Sequence, residues 1–387
     1  MLGYFRGVWK YDMECFEKYG TMWGQLDGQV PSLVVMDREF IRSVMYLGPA
    51  GPWRNGLTIA KDEAWRRLRA LLSPTFTGRA PARDVPHHRT LRRRPGGAPG
   101  PGGGARRARV SAASSSRSWS PCSTSSTCPC SPRDAVDFFR AFLERAKEQH
   151  REPGRENRVD FLQLMLNAQE HAEPGKALTD SDILAQSIFF IFAGYDTTSS
   201  TLAFMLHALA TRPHVQARLQ AAVDAALPGG VSPPTYQSLE ALDYVDMVVS
   251  ETLRLYPVCS RVDRVCGRDV TLHGVSLPRG AVVTVPVYAL HHDPGRWAEP
   301  EDFRPERFSP EHRAAIDPYS YLPFGCGPRN CIGRRFALMT MKLALTKLVQ
   351  RFSFLPCEET RIPLQLGLEP NLHPAKPIVL RVVSREV

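Results

Sequence analysis

The stretch Phe324-Gly325-Cys326-Gly327-Pro328-Arg329-Asn330-Cys331-Ile332-Gly333 constrains this chain more than any other. Its glycines and proline demand a tight loop, and a long apolar segment, 336–352, follows at once. Polar residues recur there at Lys342, Thr346 and Gln350. That spacing predicts a mostly buried helix with one wet stripe. Cys331 is then set at a helix N-terminus, where the dipole and free N–H groups favour a thiolate. Gly325, Gly327 and Gly333 carry no Cβ, so the backbone can come close to something flat and bulky. The plainer reading is a buried structural cysteine in a glycine-rich turn.

Three further stretches carry chemistry. Thr179 and Asp182 have the spacing of a capping box, which opens the longest expected helix, 183–210, before Pro213. Its first half is apolar all round, so it is expected to run through the interior. Gln186 and Ser187 interrupt it and argue against a membrane span. In mid-helix comes Ala193-Gly194-Tyr195-Asp196-Thr197-Thr198. An acid and hydroxyls inside a buried helix are costly unless used, and Gly194 loosens the helix beside them. The alternative is that Thr197 and Thr198 bond carbonyls four residues back. In a helix over 62–72, Trp65 and Arg69 share a face, and an indole N–H with a guanidinium suits carboxylates. A surface helix with one core Trp is the simpler account. Glu251 and Arg254, amid apolar neighbours, read as a half-buried structural ion pair.

These residues resemble a known family. The Cys331 loop matches F-x-x-G-x-R-x-C-x-G, the cysteine-ligand signature of the cytochromes P-450, at every fixed position. Residues 193–197 match A-G-x-[D/E]-T, residues 251–254 match E-x-x-R, and Pro305-Glu306-Arg307-Phe308 follows in order. The stretches FIFAGYDTTSS, SETLRLYPV and YLPFGCGPRNCIGRRFAL look like vertebrate family 3, subfamily A.

The resemblance implies a mainly α, α+β fold, with a helical domain and a smaller β-rich part around one haem b. It implies a monooxygenase acting on lipophilic substrates such as steroids and drugs. Dioxygen is the co-substrate, and electrons come from NADPH through a flavoprotein reductase, with cytochrome b-five as a further partner. Cys331 becomes the thiolate ligand of the iron, with Phe324, Gly325, Gly333 and Gly194 beside the macrocycle. Trp65, Arg69, Arg264 and Arg329 match positions that bind the propionates; surface arginines are the alternative for the last two. Splitting dioxygen requires two protons, and Thr197 with Asp196 match the residues that relay them. Arg307 joins Glu251 and Arg254. Phe192, Ala193, Leu366, Gly367 and Leu368 would line the substrate pocket. Arg334, Arg335, Lys342 and Lys347 would form a basic docking face for the reductase. Cys326 is a remote alternative ligand. The implied location is the cytoplasmic face of the endoplasmic reticulum membrane.

Composition excludes several other classes. Nine scattered cysteines show no disulfide framework, and Cys122, Cys128 and Cys130 lack histidine partners for zinc. No apolar run reaches ~18 residues, so no transmembrane helix is encoded. Residues 1–10 lack the apolar core of a signal peptide. The family's N-terminal anchor is expected to be missing, and the single domain, 1–387, truncated at its start. The formal charge of +10 is local: ten arginines and one acid, Asp84, lie between Arg79 and Arg117. No nucleic-acid partner is therefore expected, although an RNA-binding arginine tract over 79–117 is one alternative function. From Thr77 to Pro132, Arg, Gly, Pro and Ser dominate without periodicity. Such a segment cannot bury enough to order itself. It is expected to be an aberrant, disordered insert from a reading-frame slip or mis-splice. That leaves a second alternative, a haem-binding but inactive, or misfolded, product.

Elsewhere the pattern predicts a helix over 11–19, a hairpin turning at Asp27-Gly28, and a short helix capped by Asp37. Helices are expected at 135–150, with Val136, Phe139, Leu143 and Ala146 inward, and at 159–169, 213–227 and 239–255. Strands and turns fill 270–286, and a last strand 378–383.

Overall fold

A computed structural model describes residues 7–27, 30–47, 66, 68–70, 72–73, 106–110, 133–150, 160–170, 177–228, 234–369 and 371–385. Helix α1 (Val8–Tyr19) turns Val8, Asp12 and Cys15 inward, one stripe of an amphipathic pattern. Strands β1 (Met22–Asp27) and β2 (Val30–Val35) pair antiparallel with Asp27 opposite Val30, the expected hairpin. Asp37 caps α2 (Arg38–Leu47), its carboxylate accepting the Phe40 N–H at 2.8 Å. The described residues between 66 and 73 are helical; Trp65 lies outside them. Strand β3 (Arg106–Val110) comes next.

Helix α3 (Arg133–His150) buries Leu143 and half-buries Phe139 and Ala146, as their spacing predicts. Helix α4 (Phe161–Glu170) buries Met165 and Leu166. Helix α5 (Asp180–Ala210) starts at the expected capping box: Thr179 Oγ1 accepts the Asp182 N–H, and Asp182 accepts the Thr179 N–H. At ~1.5 Å per residue it is about 46 Å long. Its burial corrects one expectation. The half after Ser200 is the buried half, whereas Ile191, Phe192 and Tyr195 are exposed. An all-round apolar pattern states what a helix can bury, not what lies against it; α3 and α4 cover only part of the first half.

Helix α6 (Pro213–Ala226) follows. The helix expected over 239–255 is two, α7 (Tyr236–Glu240) and α8 (Asp243–Leu255). Thr235 and Ser238 cap the short one reciprocally, and Asp243 and Asp246 favour a fresh N-terminus after the break. Strands β4 (Val262–Val265), β5 (Val270–Leu272), β6 (Val275–Leu277) and β7 (Val282–Val285) lead to α9 (Val287–His291). The chain closes with α10 (Pro310–Arg313), α11 (Arg334–Arg351), β8 (Phe352–Leu355) and β9 (Ile378–Ser384).

One sheet has the order β1-β2-β7-β4, with β2 and β7 parallel and the outer pairs antiparallel. A second has the order β3-β9-β8. Its first strand corrects the reading of 77–132 as structureless throughout: Arg106 pairs with Val382 and Val110 with Ile378. Edge pairing uses backbone groups that every residue carries, and charged side chains suit an edge.

Four apolar clusters form the interior of the described residues, and the 324–333 loop touches three of them. Phe324 packs on the cluster of α5, α6, α8 and α11. Cys326 packs on that of α1, α2 and the first sheet. Ile332 packs on that of Leu68, Leu72, α4 and the start of α5. The wet stripe expected on α11 is buried instead: Lys342 is 4 % exposed, Thr346 0 % and Gln350 6 %. Lys342 Nζ donates to Asp246 of α8 at 2.8 Å, whereas the Thr346 hydroxyl has no partner among the described residues. No described helix is long and apolar enough to cross a membrane.

Candidate active site

The loop closes on itself. The Cys331 N–H donates to the Phe324 carbonyl at 2.9 Å, Asn330 N–H to Gly327 O at 3.1 Å, and Gly325 N–H to Leu322 O at 3.0 Å. Gly325 and Gly327 take φ of 64° and 74°, the left-handed region that glycine enters freely. At Gly327 the close approach is to α2: a Cβ there would lie 2.5 Å from the Met45 carbonyl oxygen. Arg69 clamps the loop from the 66–73 helix, donating to the Asn330 carbonyl at 2.9 Å and its side-chain oxygen at 2.8 Å.

Cys331 lies two residues ahead of Gly333, the N-cap of α11, and outside the helix. Its surroundings correct the expectation of a ready thiolate. Burial by the surrounding chain pushes the thiol up, while the Gly333 N–H, Arg69 and Arg334 pull it down. Its side chain is nevertheless exposed on one side, whereas Cys326 is half-buried in its apolar cluster.

A thiolate-held macrocycle with carboxylate arms requires buried cationic donors and an open face beside Cys331. Arg264 on β4 is 6 % exposed. One Nη donates to Asp263 O at 2.9 Å, and its Nε has no partner among the described residues. Burial lowers its pKa, with Cys326 and Asp263 acting in the opposite sense. A buried guanidinium with an unfilled N–H is the donor that a carboxylate completes, so surface position is not the account of Arg264. Arg329 is half-buried in the loop. A Cβ at Gly194 would meet nothing within 4 Å, so that side of α5 is open. Cys331, Arg264, Arg329 and Gly194 fit such a group; Arg69 is bonded to Asn330, and Trp65 is outside the described residues.

On α5 the Thr197 hydroxyl donates to the Ala193 carbonyl at 2.7 Å, the back-bond foreseen as its alternative role. Asp196 is 3 % exposed and turns to the last loop. Its carboxylate lies 3.6 Å from His373 Nε2 and is hydrogen-bonded to Asn371. His373 Nδ1 is 3.0 Å from Ser200 Oγ. Burial pushes the Asp196 carboxyl up, and His373 and Asn371 pull it down. Sequence reasoning missed both partners: it followed the last loop from Leu366 to Leu368 and stopped before its returning arm. Cys259 has its thiol pushed up to about 11, by burial first and then by Cys331 and Asp196.

The expected pocket residues diverge. Ala193 is half-buried and Phe192 exposed. Leu366 packs on Phe204, Val258, Tyr288 and Leu372. Gly367 accepts the Trp9 indole N–H at 3.0 Å and donates to His373 O at 2.7 Å, while Leu368 is exposed. Glu251 and Arg254 are fully buried rather than half-buried. Arg307 Nε reaches Glu251 at 3.4 Å, and the Arg304 N–H reaches the same oxygen at 2.9 Å.

The cytochrome P450 family model matches residues 132–382. Along its length the chain is similar to cytochrome P450 3A11 of Mus musculus and 3A1 of Rattus norvegicus, at 44% identity each. It is similar to cytochrome P450 3A5 of Homo sapiens at 42%. Each match covers 100% of this chain and 89% of the relative. The matches run over 449 to 455 residues, against 387 in the chain, so the relatives carry segments that this chain lacks.

Proposed function

From the premise that the chain belongs to the cytochrome P450 family, a family of haem-thiolate monooxygenases, we propose an NADPH-dependent hydroxylase of lipophilic substrates, steroids and drugs among them. Electrons arrive through a flavoprotein reductase, with cytochrome b-five as a second partner, at the cytoplasmic face of the endoplasmic reticulum membrane. Haem iron with a cysteine ligand supplies the activation and cleavage of dioxygen, cytochromes P450 being the known case of that ligand.

Cys331 is the ligand, and binding a metal requires that it give up its proton. The Gly333 N–H, Arg69 and Arg334 reduce the cost of the thiolate against the burial that opposes it. Arg264 and Arg329 would hold the propionates, and by the family resemblance Trp65 and Arg69 would join them. Phe324, Gly325, Gly333 and Gly194 would border the ring. The Thr197 hydroxyl hydrogen is on the Ala193 carbonyl, which leaves its oxygen free to accept; with Asp196 it holds and moves a proton. By the family resemblance Phe192, Ala193, Leu366, Gly367 and Leu368 would line the substrate pocket, although Leu366 packs in the interior and Leu368 is exposed. Arg334, Arg335 and Lys347 are exposed and form the basic face for the reductase; Lys342 is not part of it, being paired with Asp246 inside.

One observation carries this reading. On β4 the Arg264 guanidinium is buried and its Nε has no partner among the described residues, the donor that a haem carboxylate would complete. The test is the ferrous–CO difference spectrum, with steroid hydroxylation in the presence of reductase and NADPH. Cys331→Ser is expected to lose the red-shifted Soret band and Cys326→Ser to keep it. The reverse pattern would refute the ligand assignment. A chain with the band but no NADPH-driven product would refute the hydroxylase reading.

A further inference from the structure

We propose that His373 is a positioning residue for proton delivery: it holds the Asp196 carboxylate ionised and fixed beside the site, ready to take up and release a proton. The proposal rests on the monooxygenase reading above, and goes beyond it in naming the residue that makes Asp196 usable.

The argument begins with burial. Asp196 is 3 % exposed, in the middle of a helix whose backbone groups bond one another. Alone there, a carboxylate would keep its proton, because leaving water disfavours the charged form. A carboxylic acid that never ionises cannot receive a proton. The last loop supplies the remedy. Leu372 N–H donates to Val258 O at 2.7 Å, and Cys259 bridges Asn371, which fixes this arm of the loop against the segment after α8. Asn371 and His373 thereby meet Asp196, His373 with Nε2 3.6 Å from the carboxylate. Ser200, one turn along α5 and fully buried, takes the other ring nitrogen at 3.0 Å. The imidazole is itself 4 % exposed, bonded at Nδ1 to Ser200 and with Nε2 toward the carboxylate, so burial and one hydrogen bond set its orientation.

Among the described residues, the groups around the pair are Thr197 and Ser200 of α5, Asn371 of the loop and the Cys259 thiol. Of these and His373, His373 alone can bring positive charge. Positive charge on the ring would favour the charged form of the carboxylate beside it. The same carboxylate can then take up a proton and pass it toward the Thr197 side. Nothing comparable is available to an aspartate facing only neutral groups.

The experiment has two arms on the haem-loaded full chain. In the first, infrared difference spectroscopy at neutral pH reads the C=O stretch of a protonated buried carboxyl, assigned by its loss in Asp196→Asn. His373→Gln keeps hydrogen-bonding capacity but removes the charge, and is expected to raise that band several-fold. Ser200→Ala, which frees the ring without removing it, is expected to raise it less. In the second arm, with reductase and NADPH, His373→Gln is expected to lower product per NADPH several-fold and raise peroxide, at unchanged substrate KM. A role in packing alone predicts lower haem content in both variants with no change in the carboxyl band. An unchanged band in His373→Gln overturns the proposal, whatever the turnover arm gives. Turnover with unchanged coupling also overturns it. Absence of product from the wild-type chain counts against the hydroxylase reading only, since the infrared arm decides the pairing separately.

Discussion

Arg254 grips Glu251 with both prongs of its guanidinium, Nε on Oε2 at 2.8 Å and an Nη on Oε1 at 2.9 Å, and neither side chain has any exposed surface. The pair is also wired to the ligand loop. Arg254 donates to the His291 carbonyl at 2.9 Å, and His291 Nε2 accepts the Leu322 N–H at 2.9 Å, two residues before Phe324. That bond makes Nε2 an acceptor, so Nδ1 carries the proton and donates to Arg254 O at 3.0 Å.

Glu251→Ala leaves Arg254 buried without its carboxylate and takes an acceptor from Arg304 and Arg307. Breaking a buried pair costs roughly 3–5 kcal/mol, a large share of a typical folding free energy. The expected outcome is insoluble or haem-free chain, measured by soluble yield and urea unfolding. A soluble, haem-loaded Glu251→Ala protein would show that the Arg254 network does not hold the loop.

Beside it, His292 gives stability a pH dependence. Burial lowers its pKa to about 4, with Tyr288 O opposing and Arg254 assisting. A group whose folded pKa lies below its unfolded value of ~6.5 contributes stability that is present above ~6.5 and lost as pH falls toward the folded value. The loss has a slope of up to about 1.4 kcal/mol per pH unit. His292→Phe preserves the stacking on Tyr288, whose ring lies 4.0 Å away, and removes the titration. Between pH ~6.5 and ~4 its stability is expected to fall less steeply than wild type by that slope. The check is urea unfolding as a function of pH.

Arg264→Leu should act in opposite directions on the two forms of the protein. Without haem, removing a buried N–H that has no partner relieves about 1–3 kcal/mol of desolvation, so the apoprotein is expected to gain stability. With haem, a propionate loses its partner and loading should fall. Apoprotein unfolding and haem content per chain measure the two effects. A parallel loss in both would make Arg264 a structural residue of β4.

What could be read from the chain alone follows a physical division. Local signals were legible: Asp37 and Thr179 sit at helix starts because a short polar side chain must meet free N–H groups there, whatever surrounds the helix. Motif spacing likewise brought Glu251, Arg254 and Arg307 into one network. Partners distant in sequence were not legible. Lys342, Thr346 and Gln350 have the period of a wet stripe, and only the packing of α5, α6 and α8 on α11, with Asp246 meeting Lys342, makes that side an interior. His373 carries no pattern at all; its meaning comes from Asp196, on another element. Residues 106–110 show the same limit, since strand pairing draws on backbone groups that composition does not reveal.

The glycines of the ligand loop offer the sharpest separation of local from distant constraint. Both Gly325 and Gly327 have positive φ, so alanine at either costs about 1–2 kcal/mol for the left-handed backbone. At Gly325 that is the whole cost, since the added Cβ meets only the mobile end of Met45, Cε, at 3.7 Å. At Gly327 it would meet the Met45 carbonyl oxygen at 2.5 Å and its carbon at 3.2 Å. Those are backbone atoms of α2 and cannot rotate aside, so the loop itself must move. The Asn330 N–H bond to Gly327 O would then be lost, and with it the position of Cys331 one residue on. Gly327→Ala is therefore expected to lose the thiolate Soret band of the ferrous–CO complex. Gly325→Ala is expected to keep it with a lowered unfolding midpoint. Equal spectra from the two variants would mean that contact with α2 does not set the position of Cys331.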